Sequence, residues 1–380
     1  MMTGLVANAS DDYHWLSKSG GVFAATNSPE DNEILFYRRA YDGSLTFVDR
    51  YSTGGLGTPI QTQFAGLPDP LASQGSVILS DDKRWLLVTN AGSSELSLFR
   101  VYRDRLKLSA TVDSGGKFPV SVTVHDDLVY VMNVGGTGNI VGFELDDGTL
   151  RKIPNSVRTL NLNGPDVPDT LTTPSQIGFT PEGDKIIVAA KSDEIHVFEL
   201  NEDGTPSDVP VTSPSGGVLP FSFDFDREGR LFVGEVFGNA PFGVLNAGAV
   251  SSYNLLEDDS LQVISKSVDN FQFATCWVVV VGPYLYTTNT ENSNLSGYKI
   301  AKDGSLSLLT ADGIIASPGP DTFPADIATA KTKSRRYLFT TNTLSGTIST
   351  FLINKDGSLT LLGSVPGLPV ADGAQGIAAY

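Results

Sequence analysis

The chain is 380 residues long, more than one ordinary domain, so its length favours either two domains or a single all-β domain assembled from repeats. A formal charge of −17 leaves no basic stripe for a phosphate backbone, which argues against nucleic acid as a partner. No apolar run reaches the roughly 18 residues of a membrane span, and the one cysteine, Cys276, excludes an internal disulfide and a multi-cysteine metal site.

Residues 1–20 carry Asp11, Asp12 and His14 where a signal peptide needs an unbroken apolar stretch, so the chain is expected to be soluble and without a membrane partner. Asn8-Ala9-Ser10 and Asn294-Leu295-Ser296 fit glycosylation tripeptides, which leaves the compartment open between the cytoplasm and a mature secreted form.

From Val22 onward the chain repeats. Apolar, β-rich runs that close on a small or polar residue occupy 22–27, 86–90, 130–133, 186–191, 231–235, 285–289 and 338–342. After each comes an alternating strand, such as Glu95-Leu96-Ser97-Leu98-Phe99, and then a tight-turn phrase. In chain order these phrases are Asp42-Gly43-Ser44-Leu45, Asp104-Arg105-Leu106, Asp147-Gly148-Thr149-Leu150, Asp203-Gly204-Thr205, Asp258-Asp259-Ser260-Leu261, Asp303-Gly304-Ser305-Leu306 and Asp356-Gly357-Ser358-Leu359. Asp-Gly between alternating segments supplies the positive φ of a β-hairpin. Further runs at 76–79, 120–124, 176–179, 222–225, 277–281 and 326–329 give each unit a fourth strand. Seven such units predict an all-β, seven-bladed β-propeller with four antiparallel strands per blade.

The first unit lacks an innermost strand, yet Gln375-Gly376-Ile377-Ala378-Ala379 matches Gln74-Gly75-Ser76-Val77 and Gln176-Ile177-Gly178-Phe179. Residues 375–379 are therefore predicted to pair with 21–26, making 375–380 the inner strand of blade one and closing the ring without a free edge. One domain then spans 1–380, with 1–20 as an extension that has no blade to join.

In such a ring, the starts of the inner strands and the turns between the second and third strands share one face. The first set of positions holds Gln74, Pro119, Gln176, Phe221, Thr275 to Trp277, Asp326 and Gln375; the second holds Asn27, Asn90, Asn133, Lys191, Glu235, Asn289 and Asn342. The asparagines have an ordinary explanation as turn closers. Lys191 and Glu235 replace asparagine in adjacent blades, and Asp326 follows Phe323-Pro324-Ala325 where a carboxylate is costly unless paired or solvated. These three are the candidate acids and bases.

Aromatic residues Phe221, Phe271, Phe273, Trp277 and Phe323 gather at the same positions, with Phe237 and Phe242 in an insertion over 236–248. Most are expected to pack between blades. Insertions over 56–72, 161–173 and 236–248 are candidates to wall a pocket on one face. His14, His125 and His196 fall outside the channel positions, which disfavours a histidine base or a multi-histidine metal centre. Cys276 is expected to be buried and inert. No cofactor is expected; one calcium ion on Glu235, Asp326 and the asparagine amides is the alternative.

The phrases Ser80-Asp81-Asp82-Lys83-Arg84-Trp85-Leu86-Leu87-Val88-Thr89-Asn90 and Lys302-Asp303-Gly304-Ser305-Leu306 resemble the lactonase-type seven-bladed propellers, which include 6-phosphogluconolactonase-like proteins and fungal carboxymuconate cyclases. Of the His, Arg and Glu set associated with catalytic members, only Glu235 has a counterpart here. Relatives in fungal secondary metabolism imply ring formation, including hetero-Diels–Alder closure of quinone-methide-like intermediates. The leading expectation is thus a cyclase or pericyclase acting on an apolar small molecule, with Asp326, Lys191 or Glu235 assisting proton transfer. Gln74, Gln176, Gln375, Asn90, Asn289, Asn342, Thr275, Phe221, Phe273, Trp277 and Phe323 are the expected substrate contacts. Lactone hydrolysis and a non-catalytic binding propeller are the alternatives.

Overall fold

The computed structural model describes residues 20–61, 68–238 and 248–380. They form seven sheets, each a meander of four antiparallel strands running from the inside of a ring outward. The inner strands, from blade one to blade seven, are Ile377–Ala379, Val77–Leu79, Lys117–His125, Gln176–Phe179, Val218–Phe225, Thr275–Val281 and Pro324–Lys331. The helical content of the described residues is one 3-10 turn at Thr170–Thr172.

The ring closes as the repeat requires. Ile377–Ala379 pairs with Gly20–Ala25 in the register Val22 to Ala379 and Ala24 to Ile377. The ladder is extended by Ala25 N–H donating to the Gly376 carbonyl and Tyr380 N–H donating to the Gly21 carbonyl. Gln375 stays outside it, and its side chain serves another purpose. The expected extension 1–20 lies outside the described residues except for Gly20, which begins the second strand of blade one.

Turn chemistry accounts for the outer hairpins. In the Asp-Gly-Ser phrases Gly43, Gly304 and Gly357 adopt φ of +93°, +88° and +88°, while the aspartate carboxylate accepts from the serine N–H and hydroxyl two residues on. Blade three departs from the pattern. Its outermost strand is split into Thr149–Lys152 and Arg158–Thr159, with Pro154, which has no N–H to donate, in the gap.

Stability lies in the layers between blades. The middle strands bury residues on both faces, Trp85–Asn90 along its whole length, because each sheet is covered by a neighbour on either side. Seven apolar clusters result among the described residues. Phe23, Phe36, Val77 and Val88 join blade one to blade two, and Val22, Leu35, Tyr337 and Phe339 join blade seven to blade one. Outer strands such as Leu359–Pro366 are largely exposed.

Candidate functional site

A shared backbone irregularity turns particular side chains toward the ring axis. In blades three, five, six and seven the inner strand carries a bulge near its start, preceded by a non-glycine residue of positive φ: Phe118 (+58°), Leu219 (+55°), Ala274 (+57°) and Phe323 (+52°). The bulged residues are Val120, Phe221, Cys276 with Trp277, and Ala325 with Asp326. A bulge re-aims side chains that a regular strand would send to alternate faces, which is how Phe221, Trp277 and Asp326 come to equivalent places.

The end of the channel where the inner strands start, here called upper, is filled by the chain itself. Residues 69–74 cross it and are held from several blades. Trp277 Nε1 and Gln375 Nε2 both donate to the Ser73 carbonyl, at 2.9 and 3.0 Å. Gln375 Oε1 accepts from Leu71 N–H, and Ser73 Oγ donates to the Val120 carbonyl. The Gln74 side chain reaches from blade two to blade six, where its amide both donates to the Val278 carbonyl and accepts from the Val278 N–H.

Lys191 belongs to this plug. Its Nζ donates to the carbonyls of Ala72 and Thr170 at 2.8 Å and of Thr173 at 3.1 Å, which uses all three donors. It sits 5.0 Å from the Phe221 ring centre, and Phe221 meets Trp277 edge to face at 5.1 Å. Burial presses the ammonium pKa down to about 7 against the attraction of Asp69. Asp69 accepts from Ala72 N–H, and burial lifts its carboxyl to about 7.

The other predicted residues are placed inside the blades. Glu235 is fully buried; its carboxylate accepts from Ser251 Oγ and Ser267 Oγ, both at 2.5 Å, and burial raises its pKa. Asn90, Asn289 and Asn342 each donate to a serine on the next strand, Ser97, Ser296 and Ser349, at 2.8, 2.8 and 2.7 Å. Thr275 Oγ1 donates to Asn289 Oδ1. Phe323 is buried, and Phe273 rests against Phe237 at 5.4 Å. Cys276 is buried with its thiol pKa pushed well up by that burial. Of the groups the calcium alternative calls on, Glu235 is thus bound by two serines in blade five, while Asp326 stands on the inner strand of blade seven.

Below the plug the channel is open. A cavity of about 1140 Å³ runs from Gln74, Gln176 and Asp326 at its deep end to the turns that follow the inner strands. Its wall is polar and apolar in nearly equal measure: Ile78, Phe225 and Val280 are half-buried apolar side chains on it, while Val77, Val122, Ile177, Phe223, Ile327 and Ile377 back it from the layers between blades. Three polar side chains of the deep half are tied to neighbouring backbone. Gln176 exchanges two hydrogen bonds with Phe223. Asp224 accepts from Val280 N–H at 2.7 Å, and Asp326 accepts from Gly376 N–H at 2.7 Å. Enclosure pushes the Asp326 carboxyl up to about 8, with Asp69 adding to the rise, and the Asp224 carboxyl up to about 6. Both carboxyls are thus held above the ordinary carboxylate range, Asp326 further than Asp224, so Asp326 is the one that favours keeping its proton.

The structure therefore brings Asp326, Gln74 and Gln176 together at one deep surface, packs Lys191, Phe221, Trp277 and Gln375 around the plug, and leaves Glu235, Thr275 and the asparagines apart from both. Asp224 and Asp69 were missed. Asp224 was readable in the alternation Phe221-Ser222-Phe223-Asp224-Phe225-Asp226, which sends every second side chain to the same face. One expectation is corrected: His125 does reach the channel, lining the lower rim beside Phe179, because the open mouth is at that end.

No family profile and no curated protein sequence matches the chain. Solved structures do. A candidate 6-phosphogluconolactonase from Bacteroides uniformis superposes with a TM-score of 0.70 at 18% identity, covering 96% of this chain and 100% of that one. A candidate 6-phosphogluconolactonase from Bacteroides fragilis gives 0.68 at 16%, covering 97% and 98%. The periplasmic gluconolactonase of Pseudomonas aeruginosa gives 0.70 at 15%, covering 95% and 99%. The chain's structural neighbours are thus lactonase-type propellers, as the resemblance of its repeated phrases implies, and at these identities the likeness is one of fold.

Proposed function

We propose that this protein is an enzyme that uses the lower channel to hold a neutral-bodied, largely apolar organic molecule and promotes ring chemistry on it, with Asp326 as the acid. The observation that carries this reading is the buried Asp326 carboxyl at the closed end of the well, held by the Gly376 N–H at 2.7 Å and pushed by burial toward its protonated form. A protonated carboxyl there donates a hydrogen bond to a carbonyl oxygen of the substrate and stabilises charge that develops on it, in surroundings where such a bond is stronger than in water. Ring formation, the leading form, needs little beyond this and a shape that holds the reacting ends together.

Lactone opening is the second reading, favoured by two carboxyl groups lining one cavity, both raised by burial and Asp326 the further, and by the lactonase names of the structural neighbours. Asp224, as base, would take a proton from the attacking water while Asp326 gives one to the departing oxygen.

Purified protein incubated with quinone-methide precursors plus alkene partners, and separately with aromatic lactones, separates the two by product mass. Cyclisation yields a product of the summed mass of its reactants, whereas hydrolysis adds one water. Asp326→Asn is expected to lower either turnover by about 100-fold. Undiminished turnover in that variant would remove Asp326 from the chemistry.

A further inference from the structure

We propose that the lower rim of the well binds an anionic head group, so that the molecule the channel takes is an amphiphile with its apolar body inside and a carboxylate, sulfonate or phosphate at the mouth. This rests on the reading of the well as a small-molecule site and adds the chemical class of its occupant.

The chain carries 43 acidic against 26 basic residues, yet the rim reverses that balance. Lys83 from blade two, Arg227 from blade five and Lys331 and Arg336 from blade seven all line the cavity. Among the described residues none of the four has a carboxylate within ion-pair distance, although twelve such pairs form elsewhere. The acids that share the lining are mostly spent. Asp226 caps its own turn through the Glu228 and Arg230 N–H groups and is gripped by the Arg230 guanidinium at 2.6 and 2.7 Å. Asp224 lies deeper and is held by the Val280 and Phe225 N–H groups. Asp81 alone is exposed with no ion pair.

Lys83 is the most constrained of the cations. It sits half-buried in a left-handed turn conformation, φ +61°, a position where asparagine or glycine would be cheaper. Burial lowers its pKa; Asp81 and Asp82 of its own turn pull it back up, and Lys331 from blade seven, close enough to be felt, pushes it down again. Two ammonium groups over a partly enclosed mouth repel one another, and an anion between them relieves the repulsion while forming charge-assisted hydrogen bonds. Between rim and floor the wall offers half-buried apolar side chains from three blades, Ile78, Phe225 and Val280, so a ligand that satisfies both ends carries an apolar body to lie against them.

Two dyes of one skeleton test this: 8-anilinonaphthalene-1-sulfonate, which is anionic, and N-phenyl-1-naphthylamine, which is neutral. Fluorescence titration of the wild-type chain is expected to show the sulfonate bound on the order of tenfold more tightly. Lys83→Gln combined with Lys331→Gln is expected to abolish that preference and leave the neutral dye unaffected, as is 1 M salt. Thr329→Trp, or Ile78→Trp if the first variant fails to fold, enlarges a half-buried side chain on the cavity wall and is expected to weaken both dyes.

If the well variant weakens both dyes but the lysine substitutions leave their ratio unchanged, the head-group site is wrong and the well stands. If filling the well changes neither dye, or if neither binds the wild-type chain, both readings fall.

Discussion

The two ends of the channel are built from the same repeat and have become opposites. At the upper end, nearly every polar side chain is spent on holding residues 69–74 across the ring: Lys191 on three carbonyls, Gln375 on Leu71 and Ser73, Trp277 on Ser73, Gln74 on Val278. At the lower end the polar groups face space. Asp326 and Asp224 each keep acceptor or donor capacity beyond the backbone bonds they make, and among the described residues the rim cations have no carboxylate within ion-pair distance. A buried polar group that is fully satisfied rigidifies; one held at a cavity with capacity left over can act on a ligand. The residue types alone do not distinguish the two ends, since lysine, aspartate and glutamine occur at both.

That contrast is broken most severely by removing its most heavily used donor. Lys191→Met keeps an apolar stem over Phe221 but leaves the buried Ala72 and Thr173 carbonyls without a partner and the Thr170 carbonyl with the Thr173 hydroxyl alone, so the variant is expected to lose about 3 kcal/mol of stability in urea unfolding at pH 7. A loss below about 1 kcal/mol would mean that the plug is held by packing and not by the ammonium. Gln74→Ala comes next. It deletes the side chain that bars the channel between blades two and six, at a cost of about 2 kcal/mol, moderated because water in the well can reach the freed Val278 groups.

How far this could be read from the sequence follows periodicity. The blades were legible because Asp-Gly turns and apolar runs recur, and closure was legible because Gln375-Gly376 repeats the start of other inner strands. Asp326 was singled out because a carboxylate beside Phe323-Pro324-Ala325 is costly, and the structure shows that cost as a raised pKa. The plug was not legible. Pro68-Asp69-Pro70-Leu71-Ala72 has no repeat partner and no period, so nothing in it announces that it crosses the axis, and without it Lys191 looks available. The parts of the long insertions at 62–67 and 239–247 lie outside the described residues, but residues 161–173 are seen to supply the Thr170 and Thr173 carbonyls to Lys191.

The titration of the lower end sharpens the comparison further. In the folded protein Asp326 holds its proton up to about pH 8, whereas an unfolded chain releases it near 4. Its contribution is therefore present at low pH and is lost as pH rises toward about 8, at about 1.4 kcal/mol per pH unit. Asp69 and Asp224 act with the same sign up to about pH 7 and 6. Lys191, lowered to about 7, works oppositely and restores stability as pH rises above that. Asp326→Asn retains an oxygen for Gly376 N–H and removes the proton, so its stability curve is expected to be flatter than that of the wild type between pH 6.5 and 7.5. Parallel curves would place Asp326 in water and away from a closed end.

The smallest expected effect tests what the asparagines do. Asn90, Asn289 and Asn342 bind serines seven positions on, in three different blades, with nearly the same distance. Such a strut closes the turn between the second and third strands and has no need of a ligand. Ser97→Ala, Ser296→Ala and Ser349→Ala should then each cost about 1 kcal/mol, alike in the three blades, and leave turnover and dye binding as they were. Blade five makes the argument stricter, because there glutamate takes the asparagine's place and Ser251 the serine's. Ser251→Ala strips a hydrogen bond from a fully buried carboxyl and should cost more than the other three. If it costs the same in stability but lowers turnover, Glu235 acts on substrate and the division between a structural upper end and a chemical lower end does not hold.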